Sequence, residues 1–229
     1  MDFLLFGGSP DRISEERRST LERAARPLGV VITDDPDEQS RVLHDVVIAA
    51  KDVPSEQLVA APRLRWYHRW YAGIEDLAEI AALRQKKVVI TNARGVHAEP
   101  MAEHVFAMLL AFARHLHTSI RNQQSGLWKR VSSHELDELA GKTLLVVGVG
   151  AIGSRIADIG AAFQMEVIGV RRTPVATDRR CVTMDQLTEV LPEADVVVCV
   201  LPLTPLTRGL FNASMFAAMK PGSWFINVG

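Results

Sequence analysis

Apolar residues fall into two rhythms along this chain. Short, mainly apolar runs at residues 3–6, 30–33, 46–49, 64–67 and 88–91 are rich in Val, Ile, Leu and aromatics, and polar or helix-like sequence separates each from the next. Runs of this length without polar alternation predict strands buried on both faces, and their alternation with helices predicts a parallel sheet. The first intervening helix opens on Ser14-Glu15-Glu16-Arg17, a hydroxyl cap followed by acids. It carries Leu21, Ala24, Ala25 and Leu28 at helical spacing and stops at Pro27-Leu28-Gly29. Between residues 99 and 121 the apolar positions Met101, Val105, Met108, Leu109, Phe112 and Leu116 keep a helical period, which predicts one long, largely buried helix. The stretch 122–140 is polar, holds Gly126 and an isolated Trp128, and reads as an irregular connection. A second series of strands then begins at residues 144–147, 166–170 and 195–200. The expected organisation is two α/β domains, residues 1–96 and residues 97–229, the second including the linking helix.

Composition narrows the functional classes. With 26 Lys and Arg against 27 Asp and Glu the formal net charge is −1, so no basic field is offered to nucleic acid or to a membrane surface. Apolar residues make up 48% and charged residues 23%, which is a globular composition with a proper core. Two cysteines, Cys181 and Cys199, are too few for a disulfide framework or a cysteine zinc site, so a cytoplasmic protein without a metal is expected. The N-terminus carries Asp2 where a signal peptide needs positive charge, and no apolar run approaches the roughly 20 residues of a membrane helix.

One motif carries chemistry. The run Leu144-Leu145-Val146-Val147 leads into Gly148-Val149-Gly150-Ala151-Ile152-Gly153 and then into a helical segment from Ser154. In a strand–turn–helix context Gly148 allows the tight turn and Gly150 lets the backbone approach a pyrophosphate. Gly153 permits close packing of helix on strand, and the helix N-terminal amides face the anion. The competing reading is a glycine-rich turn that binds nothing. After the next strand, where an acid would hold the adenosine ribose, stand Arg171 and Arg172. Two guanidiniums there suit a 2′-phosphate, so NADP is expected to be preferred, with NAD possible. The alternative is a pair of solvated arginines at a strand end.

Further on, Leu201-Pro202-Leu203-Thr204-Pro205-Leu206-Thr207, Lys220-Pro221-Gly222 and Ile226-Asn227-Val228 complete a pattern. Together with the glycine turn, Trp70-Tyr71-Ala72-Gly73-Ile74-Glu75 and Asn92-Ala93-Arg94-Gly95-Val96, it resembles the D-isomer-specific 2-hydroxyacid dehydrogenases. The resemblance spans essentially the whole chain. It implies two doubly wound parallel-sheet domains, a flavodoxin-like substrate domain and a Rossmann nucleotide domain, both incomplete at the C-terminus. It also implies hydride transfer between NAD(P)H and a small 2-oxo acid or D-2-hydroxy acid. By position, Ala72, Gly73 and Ile74 are expected to hold the substrate carboxylate through backbone amides. Met101, Gly148, Gly150, Ala151, Ile152, Gly153, Arg171, Arg172, Leu201, Pro202, Thr207, Val228 and Gly229 are expected to contact the cofactor.

The family's catalytic Arg, Glu and His are expected beyond Gly229, so residues 1–229 alone are expected to lack turnover and to be a fragment of a longer enzyme. Among the seven histidines, His97 is the one that sequence position brings nearest to a pocket, with a structural loop role as its competitor. A homodimer through the nucleotide domain is expected, with Trp128 on the packing arm. The runner-up function is a nucleotide-sensing binding protein resembling the carboxy-terminal-binding-protein corepressors.

Overall fold

A computed structural model describes residues 1–71, 73, 77–173 and 179–229. The chain divides into two compact units, Met1–Arg94 and Gly95–Gly229. Each is built around a five-stranded sheet in which every pairing is parallel.

In the first unit, strands β1 (Phe3–Gly7), β2 (Gly29–Thr33), β3 (Val46–Lys51), β4 (Trp66–Arg69) and β5 (Val89–Asn92) lie in the order β2-β1-β3-β4-β5. That is the flavodoxin-like order, whose direction reverses between β1 and β3. Helices α1 (Glu15–Ala25), α2 (Pro36–Val42), α3 (Ser55–Ala60) and α4 (Leu77–Gln85) connect the strands. Ser14 caps α1 by accepting the Arg17 N–H at 3.4 Å, the cap that its sequence predicts. Side chains alternate across the sheet. Leu5, Val46 and Ala49 join Leu58, Leu64, Leu83 and Val88 in one core, whereas Leu4, Phe6, Ile32 and Ala50 pack with Ala25 in the other. The fourth and fifth strands begin one or two residues later than their apolar runs, because Leu64 and Val88 are consumed as core plugs ahead of the pairing.

The second unit opens with a correction. The helix expected over residues 99–121 is two helices, α5 (Ala98–Ala113) and α6 (Leu116–Gln124), separated by Arg114 and by His115 in the left-handed region at φ 51°. The apolar period survives the break, which is why the sequence reads as continuous. The burial does not: α5 buries Ala102, Val105, Phe106, Leu109 and Ala113, whereas α6 buries nothing. The sheet of this unit contains β6 (Thr143–Val147), β7 (Glu166–Val170), β8 (Arg180–Val182), β9 (Val196–Cys199) and β10 (Trp224–Asn227). Their order is β10-β9-β6-β7-β8, the dinucleotide-binding order read from one edge, with the reversal between β6 and β9. Helix α7 (Ala151–Ala162) and α5 cover one face through Leu144, Val146, Val196 and Val198. Helices α8 (Leu187–Val190) and α9 (Ala213–Ala217) cover the other through Leu145, Val147, Ile168 and Val197.

One residue ties the entry ends of three of these strands. The Asp195 carboxylate accepts the Thr143 N–H at 2.9 Å and the Lys220 ammonium at 2.5 Å. Its own N–H donates to the Thr143 carbonyl at 3.0 Å, and its carbonyl accepts the Trp224 N–H at 2.9 Å. Partial burial pushes the Asp195 carboxyl up, but the Lys220 bond, the Thr143 amide and the charge of Lys142 outweigh it, so the group sits below the ordinary carboxylate value. Because the folded value lies below the unfolded one of about 3.9, the stabilisation is present above that pH and is lost as pH falls through the folded value. Asp195→Asn is expected to cost about 2 kcal/mol at pH 7, and denaturant melts should show the gap to the unsubstituted protein narrowing as pH falls below the unfolded carboxylate value of about 3.9.

Candidate nucleotide-binding site

The second unit's sheet reverses direction between β6 and β9, and in open α/β sheets the crevice beyond the carboxyl ends of such strands is where ligands sit. The glycine turn lies there. Gly148 follows β6 at φ 107°, a conformation that a side chain resists, and its N–H donates to the Val170 carbonyl at 2.9 Å. A Cβ on Gly148 would fall 2.7 Å from the carbonyl oxygen of Val200, the residue that follows β9, so the turn is pressed against the neighbouring strand. A Cβ on Gly153 would fall 2.1 Å from the Gly148 carbonyl oxygen, which is impossible without moving backbone. The glycines are therefore demanded by backbone–backbone approach on both sides.

This geometry leaves the start of α7 open. Gly150 is its N-cap, with no side chain to cap the helix, and its N–H goes to the Gly148 carbonyl at 3.0 Å. No acidic residue occupies the first turn, so nothing negative competes for the amides of Ala151, Ile152 and Gly153. Ala151 is exposed, Ile152 half-buried and Gly153 buried. An anion at these amides would meet the positive end of a twelve-residue helix. The residues present thus fit a dinucleotide pyrophosphate.

The other expected contacts distribute around the same unit. Arg171 and Arg172 leave the end of β7, with the Arg171 N–H held by the Val182 carbonyl at 3.1 Å. Arg179 pairs with Asp158 at 2.8 Å and Arg180 forms a two-pronged pair with Glu193 at 2.6 and 2.9 Å, whereas among the described residues neither Arg171 nor Arg172 has an acidic partner. Leu201 and Pro202 follow β9. Gly229 lies against Leu201, because a Cβ there would sit 2.3 Å from the Leu201 carbonyl oxygen. The hydroxyl of Thr207 is spent inside its own loop, donating to Pro202 at 2.6 Å and accepting the Thr204 N–H at 2.8 Å. Val228 is half-buried and donates its N–H to Cys199 at 3.0 Å.

Met101 lies in α5, half-buried, and the first turn of α5 is tethered to α7 by Glu99 and Arg155 at 2.7 Å. His97, the N-cap of α5, is exposed and makes no side-chain cap. Among the described residues no histidine is paired with a carboxylate; His68 meets Thr91 at 2.9 Å and His117 meets the Ala111 carbonyl at 3.3 Å. In the first unit Gly73 is half-buried, while Ala72 and Ile74 lie outside the described residues. Two features escaped the sequence reading. The Lys220–Asp195 pair explains the Lys-Pro-Gly motif as a clamp on the sheet, and Gly160, whose Cβ would meet Leu144 at 2.5 Å, lets α7 lie flat on β6. The helix-face position of Gly160 was the available signal for the second.

Similarity to known proteins agrees with this geometry. The NAD binding domain of the D-isomer specific 2-hydroxyacid dehydrogenases matches residues 106–229, more than half of the chain. Glyoxylate reductase from Pyrococcus furiosus is 31% identical over 191 residues, covering 80% of this chain and 56% of that protein. The chain spans between a third and just over half the length of the curated relatives that it matches. Among solved structures, a D-isomer specific 2-hydroxyacid dehydrogenase family protein from Aeromonas salmonicida superposes with a TM-score of 0.85 at 31% identity, over 100% of this chain and 73% of that one. An NADPH-dependent glyoxylate/hydroxypyruvate reductase from Sinorhizobium meliloti, solved with NADP and sulfate, gives 0.81 at 26% identity over 100% and 73%. With its glycine turn at the reversal of a parallel sheet and this matched domain, the chain belongs to the D-isomer specific 2-hydroxyacid dehydrogenase family.

Proposed function

We propose that this chain forms the substrate-binding and nucleotide-binding parts of an oxidoreductase that moves a hydride between NAD(P)H and a small 2-oxo acid or D-2-hydroxy acid. The observation that carries the reading is the glycine turn of residues 148–153 at the β6/β9 reversal, in a chain of this family. Residues 1–96 serve the substrate and residues 97–229 the dinucleotide. The bound nicotinamide supplies the hydride. The amides of Ala151, Ile152 and Gly153 receive the pyrophosphate, Leu201 and Pro202 flank the adenosine, and Met101, Thr207, Val228 and Gly229 border the nicotinamide. Backbone amides at Ala72, Gly73 and Ile74 receive the substrate carboxylate. Neither the relatives nor the site favours a nucleotide-sensing binding protein without enzymatic activity.

NADP(H) is the preferred cofactor on this reading. Its support is the pair of guanidiniums after β7, which have no acidic partner among the described residues while Arg179 and Arg180 do. A 2′-phosphate offers such groups charge-assisted bonds that a 2′-hydroxyl does not. Calorimetric titration is expected to give NADPH an advantage of about tenfold to a hundredfold over NADH, and Arg171→Asp should erase or reverse it. Tighter NADH binding, or a preference unchanged in the variant, overturns the assignment.

The protein is expected to be cytoplasmic and to form a homodimer through the second unit. Phe112, Leu116 and Ile120 recur every four residues as exposed apolar side chains across the α5–α6 break, and Leu127 and the fully exposed Trp128 follow. Exposed apolar side chains so closely spaced along a polar segment suit an isologous interface, with Trp128 as its anchor. Light scattering should give a dimer mass for the unsubstituted protein and a shift toward monomer for Trp128→Ala; an unchanged mass removes the arm from the interface.

A further inference from the structure

The nucleotide cradle of the second unit is built beside a second helix end. Gly95, at φ 92°, lies against Ala151, since a Cβ there would fall 3.8 Å from the Ala151 Cβ. Four residues on in both segments Glu99 meets Arg155 at 2.7 Å, and farther along Phe106 stacks on Phe163 with ring centres 5.4 Å apart. Contacts that stay in step along both elements mean that α5 and α7 run parallel, with their N-termini side by side. His97, the residue before α5, offers no side-chain cap. The positive ends of both helices therefore add at the place to which the pyrophosphate is assigned.

A charged side chain is within reach of that place. Ala151 and Arg155 lie about one turn apart on the same face of α7, and helical side chains lean toward the N-terminus. Four residues rise about 6 Å, which an extended arginine covers, and only the methyl of Ala151 lies on the way. The Arg155 guanidinium is bound to Glu99 through Nε alone; among the described residues Nη1 and Nη2 have no acceptor. The pair is exposed, 41% for Arg155 and 62% for Glu99, and an ion pair of that kind contributes little. A diphosphate at two helix ends competes well for the same guanidinium, because phosphate oxygens accept its parallel N–H groups. We propose that Arg155 is a side-chain ligand of the dinucleotide pyrophosphate and that Glu99 is its holder, tying up part of its charge until the nucleotide binds. This rests on the reading of residues 148–153 as a nucleotide cradle. Arg171 and Arg172 are assigned to the 2′-phosphate, which NADH lacks, whereas the pyrophosphate is common to both nucleotides.

Calorimetric titration with NADPH and with NADH tests the assignment. Arg155→Gln should weaken both about tenfold and leave their ratio unchanged, unlike Arg171→Asp. Most of that loss should survive at about 1 M salt, where the Debye length is about 3 Å and a distant charge no longer counts, and Arg155→Lys should restore only part of it. Glu99→Gln should tighten both about threefold, and the gain should vanish when Arg155 is already Gln. A pair that merely joins the two helices gives a different pattern, because either substitution breaks it and the two would then act alike on binding. Unchanged affinity in Arg155→Gln, a loss erased by salt, weaker binding in Glu99→Gln, or a Glu99→Gln gain that persists without Arg155 overturns the proposal. If Arg155→Gln fails to fold, the Arg155→Lys and Glu99→Gln arms decide. If both nucleotides bind the unsubstituted protein and the substitutions leave them untouched, the role of Arg155 alone fails. If neither nucleotide binds, the cradle reading fails and the proposal falls with it.

Discussion

Helix α7 rests on β6 at a distance that admits no side chain. Gly153 meets the Gly148 carbonyl and Gly160 meets Leu144, so the helix is seated along its length by hydrogen atoms where other residues carry carbon. Everything attributed to the nucleotide site follows from that seating. The turn can be short because its two ends touch, the helix amides are left uncapped because glycine has no group to offer, and the crevice beside Val200 stays narrow because Gly148 occupies so little of it. Small residues here act as a spacing device, and only secondarily as a source of flexibility.

The same economy separates motif residues by what they do. The motif loop at residues 201–207 and the Lys-Pro-Gly run look alike on paper, as polar residues in a family pattern. In space, the Thr207 hydroxyl closes its own loop and Lys220 neutralises Asp195 at the opposite end of the sheet from the glycine turn. Recurrence in a pattern therefore marks two kinds of residue: those that shape the crevice, and those that keep three strands in register beneath it.

Much of this was legible in the chain. Unbroken apolar runs announced both parallel sheets, and strand–turn–helix around residues 148–153 announced the cradle, since these signals depend on contacts a few residues apart. What stayed hidden depends on partners far along the chain or on backbone shape. The break at His115 preserves the apolar period, so no pattern of side chains reveals it. Asp195 and Thr143 are 52 residues apart. Lys51 stands at the end of an apolar strand, and only the placement around it of Phe6 and Gly8 from one segment and Trp70 from another turns an ordinary lysine into a caged cation.

The separation of Asp195 from Thr143 also bears on how the second unit comes together. The β6–α7–β7 segment is local and can form from near neighbours, but β9 must return across the whole β7–β8 excursion to lie beside β6, and such a loop closure carries an entropic cost before any contact rewards it. The two walls of the crevice therefore come from opposite sides of that excursion: the helix amides precede it in the chain and Val200 follows it, so the crevice is complete only once the long-range β6–β9 pairing has formed.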